Sequence, residues 1–155
     1  MHPVVRIIIA IAITLAAGFL SSTAMGDSME TWYPALNKPS FQPPPWVFAP
    51  VWTILYVLMG LAAGLVWSYP EHTGMPFALG IYVGQLLLNA TWTVLFFGMR
   101  EPEFALVEIV MLWIAIVLCI IAFRRVHPPA AWLLVPYLLW VSFAAVLNAF
   151  IVILN

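Results

Sequence analysis

The chain has 155 residues, of which 65% are hydrophobic and only 7% charged, against roughly 25% charged in a soluble domain, so it reads as an integral membrane protein. A net charge of −1, with five Lys and Arg against six Asp and Glu, excludes the basic stripe that a nucleic-acid backbone requires. A single cysteine, Cys119, lies inside an apolar run; it excludes a disulfide framework and a thiolate metal cluster and is expected to pack.

A helix needs about 20 apolar residues to cross a hydrocarbon core about 30 Å thick. Five continuous runs qualify, at about 4–24, 46–67, 77–97, 104–123 and 131–153. They lack the alternating pattern of an outer-membrane barrel. The expected fold is an all-α bundle of five transmembrane helices, one membrane domain over 1–155, with a long Pro/Trp-rich loop between helices 1 and 2. The connections at 68–76, 98–103 and 124–130 are short, so neighbouring helices run antiparallel.

In the first run, Arg6 precedes an apolar stretch and Ser22-Thr23-Ala24 resembles a small-residue cleavage site, so a removable signal peptide is the alternative to a first span. The loop 25–45 follows. Residues 32–52, WYPALNKPSFQPPPWVFAPVW, hold six prolines, six aromatic residues and one lysine. Proline stiffens a chain without making it regular, and aromatic rings supply large rigid surfaces. A connecting loop is more usually polar and flexible, so this one is read as a lid over a pocket. The alternative is an interfacial belt whose prolines stop helix 2 from starting early.

The second run carries Trp52, Tyr56 and Met59 on one stripe, and Gly60-x-x-x-Gly64 as a close-packing site. In the third, Gln85, Asn89, Trp92 and Phe96 fall on one stripe at 100° per residue, while Gly80-x-x-x-Gly84 points about 130° away, free to face a partner subunit. Glu108 opens the fourth run, where snorkelling to the interface is preferred over proton coupling. The fifth repeats the aromatic and polar stripe with Tyr137, Trp140, Ala144 and Asn148. Trp32, Trp46 and Trp132 sit at span ends as interfacial anchors, and Gln85 and Asn148 serve equally well as interhelical hydrogen-bond glue.

Five antiparallel spans put Trp52, Asn89, Trp92, Glu108 and Asn148 in the half of the membrane beneath the 25–45 loop, with Trp140 deeper as a floor. Arg6, Arg124 and Arg125 on one face against Lys38 and Arg100 on the other favour an amino terminus inside.

Three motifs carry a resemblance: W-Y-x-x-L-x-K-P-S-F-x-P-P-x-W-V-F-x-P-V-W at 32–52, Q-L-x-x-N-x-x-W-x-x-x-F-F-G at 85–98, and P-Y-L-L-W-x-x-F-A-x-x-L-N at 136–148. Together they resemble the translocator protein family, also called tryptophan-rich sensory proteins or peripheral-type benzodiazepine receptors, over essentially the whole chain. The resemblance implies a five-helix bundle, commonly a homodimer, whose ligands are tetrapyrroles such as protoporphyrin IX and haem, sterols, and benzodiazepine-type drugs, with no obligatory cofactor. It places Tyr33, Pro43 and Pro44 over the ligand, lines the cavity with Trp52, Asn89, Trp92, Trp140 and Ala144, and suggests dimerisation through Gly80 and Gly84. The sterol motif of animal members is missing here, since Leu147-Asn148 is followed by Ala149-Phe150-Ile151-Val152-Ile153 without a tyrosine and a basic residue. That departure fits a bacterial rather than an animal member, and so a bacterial membrane.

The expected function is binding of lipophilic planar ligands for sensing, buffering or transport. Ligand carboxylates would meet Lys38 or Arg100. His2, His72 and His127 lie on the face away from the lid, so no metal ligand is expected at the pocket. The alternatives are light- and oxygen-dependent porphyrin breakdown with Trp52 and Trp140 relaying radicals, a scaffold recruiting partners through the helix-3 glycines, and proton-coupled transport through Glu108.

Overall fold

The computed structural model describes residues 1–155 and contains no strand. Six helices are formed, α1 (Pro3–Ser22), α2 (Phe48–Trp67), α3 (Met75–Thr93), α4 (Pro102–Val126), α5 (Pro128–Leu133) and α6 (Val135–Leu154). Pro3, Pro76, Pro102, Pro128 and Pro136 occupy first turns, where a missing N–H costs nothing and a fixed φ favours the helix. Short turns extend the ends, giving five segments long and apolar enough to cross a membrane: Pro3–Met25, Pro45–Trp67, Met75–Gly98, Pro102–Val126 and Pro128–Leu154. The chain is a multi-pass integral membrane protein.

Two boundaries differ from expectation for physical reasons. The fourth span runs on to Val126, which brings Arg124 and Arg125 into its last turn, against the negative end of the helix dipole. The fifth begins at Pro128 and is broken at Leu134, because Pro136 has no N–H to give the carbonyl one turn earlier.

Around the bundle, α1 packs on α2 and α3, α4 packs on α3 and α6, and α2 closes the ring against α5. Bilayer tails offer no hydrophobic driving force between helices, so small residues and polar pairs set these contacts. The α1–α2 seam rests on two glycines: a β-carbon at Gly60 would lie 2.5 Å from Ile11 Cα, and one at Gly64 2.5 Å from Ile7 Cα. Gly60-x-x-x-Gly64 is therefore an intramolecular device. Thr14 Oγ1 and Tyr82 Oη, 2.6 Å apart, join α1 to α3. Arg6 donates to the Trp67 carbonyl at 2.8 Å, covering the open end of α2.

The third span ends in a π-turn, Val94–Gly98. Its extra residue lets the consecutive Phe96 and Phe97 both turn inward and become buried. Gly98 lets the turn after α1 come close, since a β-carbon there would lie 3.0 Å from the Ala24 carbonyl oxygen.

Two expectations about polar and aromatic residues are corrected. Glu108 does not snorkel; it lies on the inward stripe of α4 with Ala105, Ile109 and Leu112, is 4% exposed, and neither carboxyl oxygen has a hydrogen-bond partner. Trp32 is not a free interfacial anchor, because its ring packs edge-on against Phe96 at 5.5 Å. Trp46 and Trp132, each 74% exposed, do stand at span ends.

The glycine pairs should separate in a stability measurement. Gly60→Leu forces side-chain atoms into the α1 backbone and is expected to cost about 1–3 kcal/mol or more, read as a lowered thermal midpoint in detergent. Gly84→Ala, with nothing of its own chain within 4 Å of its β-carbon, should change that midpoint far less.

Candidate functional site

A cavity of about 560 Å³ opens between the spans in the half of the bundle under the 25–45 loop. Leu15 and Gly18 of α1, Phe48, Trp52 and Tyr56 of α2, Trp92, Phe96 and Phe97 of the third span, and Trp140, Ala144, Leu147 and Asn148 of α6 form its walls, with Met25, Met29 and Tyr33 contributed by the loop. The stripes expected on the second, third and fifth spans thus converge on one space. Its lining is mostly apolar with few polar groups, the usual make-up of a small-molecule site.

The walls are built from interlocked rings. Trp52 stacks on Tyr56 at 5.6 Å and meets Trp140 edge-on at 6.5 Å. Phe48 packs against Trp140 at 6.0 Å, and Trp92 stacks on Phe96 at 5.1 Å. Trp92 also donates from Nε1 to Asn148 Oδ1 at 3.1 Å, while Asn148 Nδ2 donates to the Pro102 carbonyl at 2.8 Å. Asn148 is at once interhelical glue and a lining residue.

Asn89 is corrected from a lining residue to the hub beneath the cavity. Tyr56 Oη donates to its Oδ1 at 2.7 Å, its Nδ2 donates to Tyr137 Oη at 3.0 Å, and that hydroxyl donates to Gln85 Oε1 at 2.8 Å. The floor is this buried network, and Trp140 stands in the wall instead. The stripe from Gln85 to Phe96 was legible in the sequence, but its deeper half is consumed by neighbouring spans and only Trp92 and Phe96 reach the space.

The lid is narrower than the sequence suggested. Tyr33 is buried among Phe48, Phe96 and Phe97, with ring centroids 5.8–6.4 Å away, and burial pushes its phenol up to about 12. Pro43 and Pro44 do not line the cavity, because the preceding turn is drawn toward the end of α6, where Phe41 packs on Phe143 and Phe150 at 6.2 and 5.3 Å. Met25, Met29 and Pro45 were missed; isolated loop residues carry no periodicity. Phe97 was missed because a regular helix would point it away from Phe96.

Neither cation beneath the lid is free for a ligand carboxylate. The Lys38 ammonium donates to the carbonyls of Tyr33, Leu36 and Pro34 at 2.7, 2.9 and 3.3 Å and sits 4.9 Å over the Tyr33 ring. Arg100 donates to Asp27 Oδ1 at 3.0 Å and Ser28 Oγ at 3.2 Å, and Ser28 Oγ in turn donates to the Phe97 carbonyl at 2.6 Å. These bonds hold Arg100 at a φ of 57°, a left-handed conformation that side chains other than glycine adopt with strain. At the far end of the loop, Asn37 and Asn155 exchange hydrogen bonds at 3.0 and 2.9 Å.

His2 caps the start of α1 and His72 lies in the α2–α3 connection, bonded to Gly74 N at 3.0 Å. His127 stacks on Tyr69 at 4.9 Å. None of the three lines the cavity.

The profile of the TspO/MBR family matches residues 10–154. The chain is 45% identical to the Tryptophan-rich protein TspO of Chlorobaculum tepidum, over 98% of its own length and 97% of that protein's. It is 38% identical to the protein of the same name from Archaeoglobus fulgidus, over 98% of each. Against the Translocator protein of Homo sapiens the identity is 44%, over 76% of this chain and 70% of that one.

Asn89→Leu should strand the buried Tyr56 hydroxyl and loosen three spans at once. The expected loss is about 1–3 kcal/mol, seen as a lower thermal midpoint.

Proposed function

Because the chain belongs to the TspO/MBR family, we propose that it binds lipophilic planar ligands of the tetrapyrrole class in the cavity beneath the lid, for sensing, buffering or transport. The observation that carries this is the meeting of indole rings from three separate spans around one space. The relatives' names, translocator and sensory protein, point to movement or signalling of what is bound.

A ligand already dissolved in the bilayer gains little from the hydrophobic effect on moving into the bundle. Selection rests on shape and on ring contacts, each worth about 0.5–1.5 kcal/mol beyond area burial. Trp52, Trp92 and Trp140 supply such faces, and Asn148 supplies a fixed polar edge. With Lys38 and Arg100 committed to the lid, the ligand's acidic groups are left to reach water beside the lid. With the three histidines away from the cavity, iron finds no imidazole here, and protoporphyrin IX is expected to bind at least as tightly as haem.

We also propose a homodimer through the α3 face that carries Gly80 and Gly84. Both glycines are exposed with no atom within 4 Å of their β-carbon positions, beside the exposed Phe77, Val83 and Leu87, so a second helix would be able to approach closely.

Protoporphyrin IX should quench the tryptophan fluorescence of the purified protein, and Trp52→Phe combined with Trp140→Phe should weaken binding about tenfold, the sum of two modest ring contacts. Unchanged affinity in the double variant, or a much tighter haem complex with an iron–nitrogen signature, would count against the tetrapyrrole site. For the dimer, Gly84→Leu should shift sedimentation toward the monomer without altering porphyrin affinity.

A further inference from the structure

The cavity wall is unevenly sealed. Its exposed lining residues, Phe19, Ser22, Pro45, Ala49 and Thr53, belong to the end of α1 or to the start of the second span, whereas those contributed by the third and fifth spans and by the lid are buried or half-buried. Phe19 is 71% exposed.

The contacts between α1 and α2 fix where these residues stand. Ile7 meets Gly64, Ile11 meets Gly60, and Gly18 meets the Tyr56 ring, where a β-carbon would lie 2.5 Å from Cε2. Continuing this antiparallel pairing puts Phe19 level with Thr53 and Ser22 level with Ala49. The two helices meet backbone to backbone at Gly60 and Gly64, whereas Gly18 meets the ring of Tyr56. From Gly60 to Ala49 the rise is about 16 Å at 1.5 Å per residue.

Every other side of the cavity's upper rim is tied. The turn after α1 lies close against the π-turn, where a β-carbon at Gly98 would stand 3.0 Å from the Ala24 carbonyl oxygen. The hydrogen bonds from the lid to the helices run to Phe97, Arg100 and the end of α6. None runs to the α1–α2 seam.

From this geometry we infer that the seam between Phe19–Ser22 and Ala49–Thr53 is a lateral portal, through which a membrane-dissolved planar ligand passes directly between the bilayer and the cavity. The inference rests on the ligand-binding function proposed above. The portal lies below the exposed Trp46, with Ala49 and Thr53 about 5 and 10 Å deeper along the helix. Except for Phe19, the exposed lining side chains on it, Ser22, Ala49 and Thr53, are small. They also present no unpaired hydroxyl, because Ser22 Oγ donates to the Phe19 carbonyl at 2.6 Å and Thr53 Oγ1 to the Ala49 carbonyl at 2.8 Å. An apolar ring crossing there displaces lipid and breaks no protein hydrogen bond.

Stopped-flow tryptophan quenching by protoporphyrin IX in proteoliposomes tests this. Ala49→Phe, and independently Thr53→Phe, both at the outer lip of the cavity, should slow association by about tenfold, a larger change than any in the dissociation constant; most interface substitutions act instead on dissociation alone. Arg100→Ala and Asn37→Ala, which loosen the lid, should leave the association rate unchanged. Unaltered rates in both phenylalanine variants, faster association in the lid variants, or weaker binding at an unchanged association rate would each overturn the portal while the binding function stands. No quenching of the unaltered protein at any concentration would remove the binding function and the portal with it.

Discussion

The structure depends on Asn89 and the two phenols it holds. In a bilayer, apolar side chains give one helix no reason to choose another, since lipid solvates them equally well. A buried amide bonded on both edges does give a reason. Through Tyr56 and Tyr137 it fixes the depth and rotation of α2, α3 and α6 relative to each other, and Gln85 completes the chain. With three helices pinned at that level, the rings about one turn nearer the lid, Trp52, Trp92 and Trp140, have to face a common space. They are too large and too rigid to interdigitate completely. The void above the network follows from a constraint below it.

The lid follows a similar logic with different chemistry. Lys38 is spent on the lid's own backbone, where it bonds the carbonyls of Tyr33, Pro34 and Leu36, and Arg100 of the neighbouring turn gathers Asp27 and Ser28 against the π-turn. An exposed ion pair such as Arg100–Asp27 stabilises little in isolation. Here it works as part of a fixed geometry that seats Tyr33 over the aromatic cluster.

Much of this was legible before any coordinates. Continuous apolar runs gave the five spans, and periodicity gave the stripes that converge, because both depend only on helix geometry and bilayer thickness. Proline-rich stiffness pointed to a cover of some kind. What periodicity could not give was any feature produced by a departure from regular helix or by competition between contacts. The π-turn that brings Phe97 inward, the break at Leu134, and the turn that carries Pro43 and Pro44 away toward α6 are of the first sort. Asn89 is of the second: its stripe was right, but two tyrosines reached it before any ligand could. Glu108 failed for a related reason, since its distance from the interface was read without knowing that α4 turns that face inward.

The tight Gly60 and Gly64 seam and the Tyr56–Asn89–Tyr137 floor have a consequence for traffic. Together they plug the lower half of the bundle, so the cavity is a cup with no drain. A ligand taken up through the proposed portal would return to the same leaflet unless the α1–α2 pair came apart along its whole length, and net movement across the membrane would need that larger opening or a second carrier to take the cargo onward.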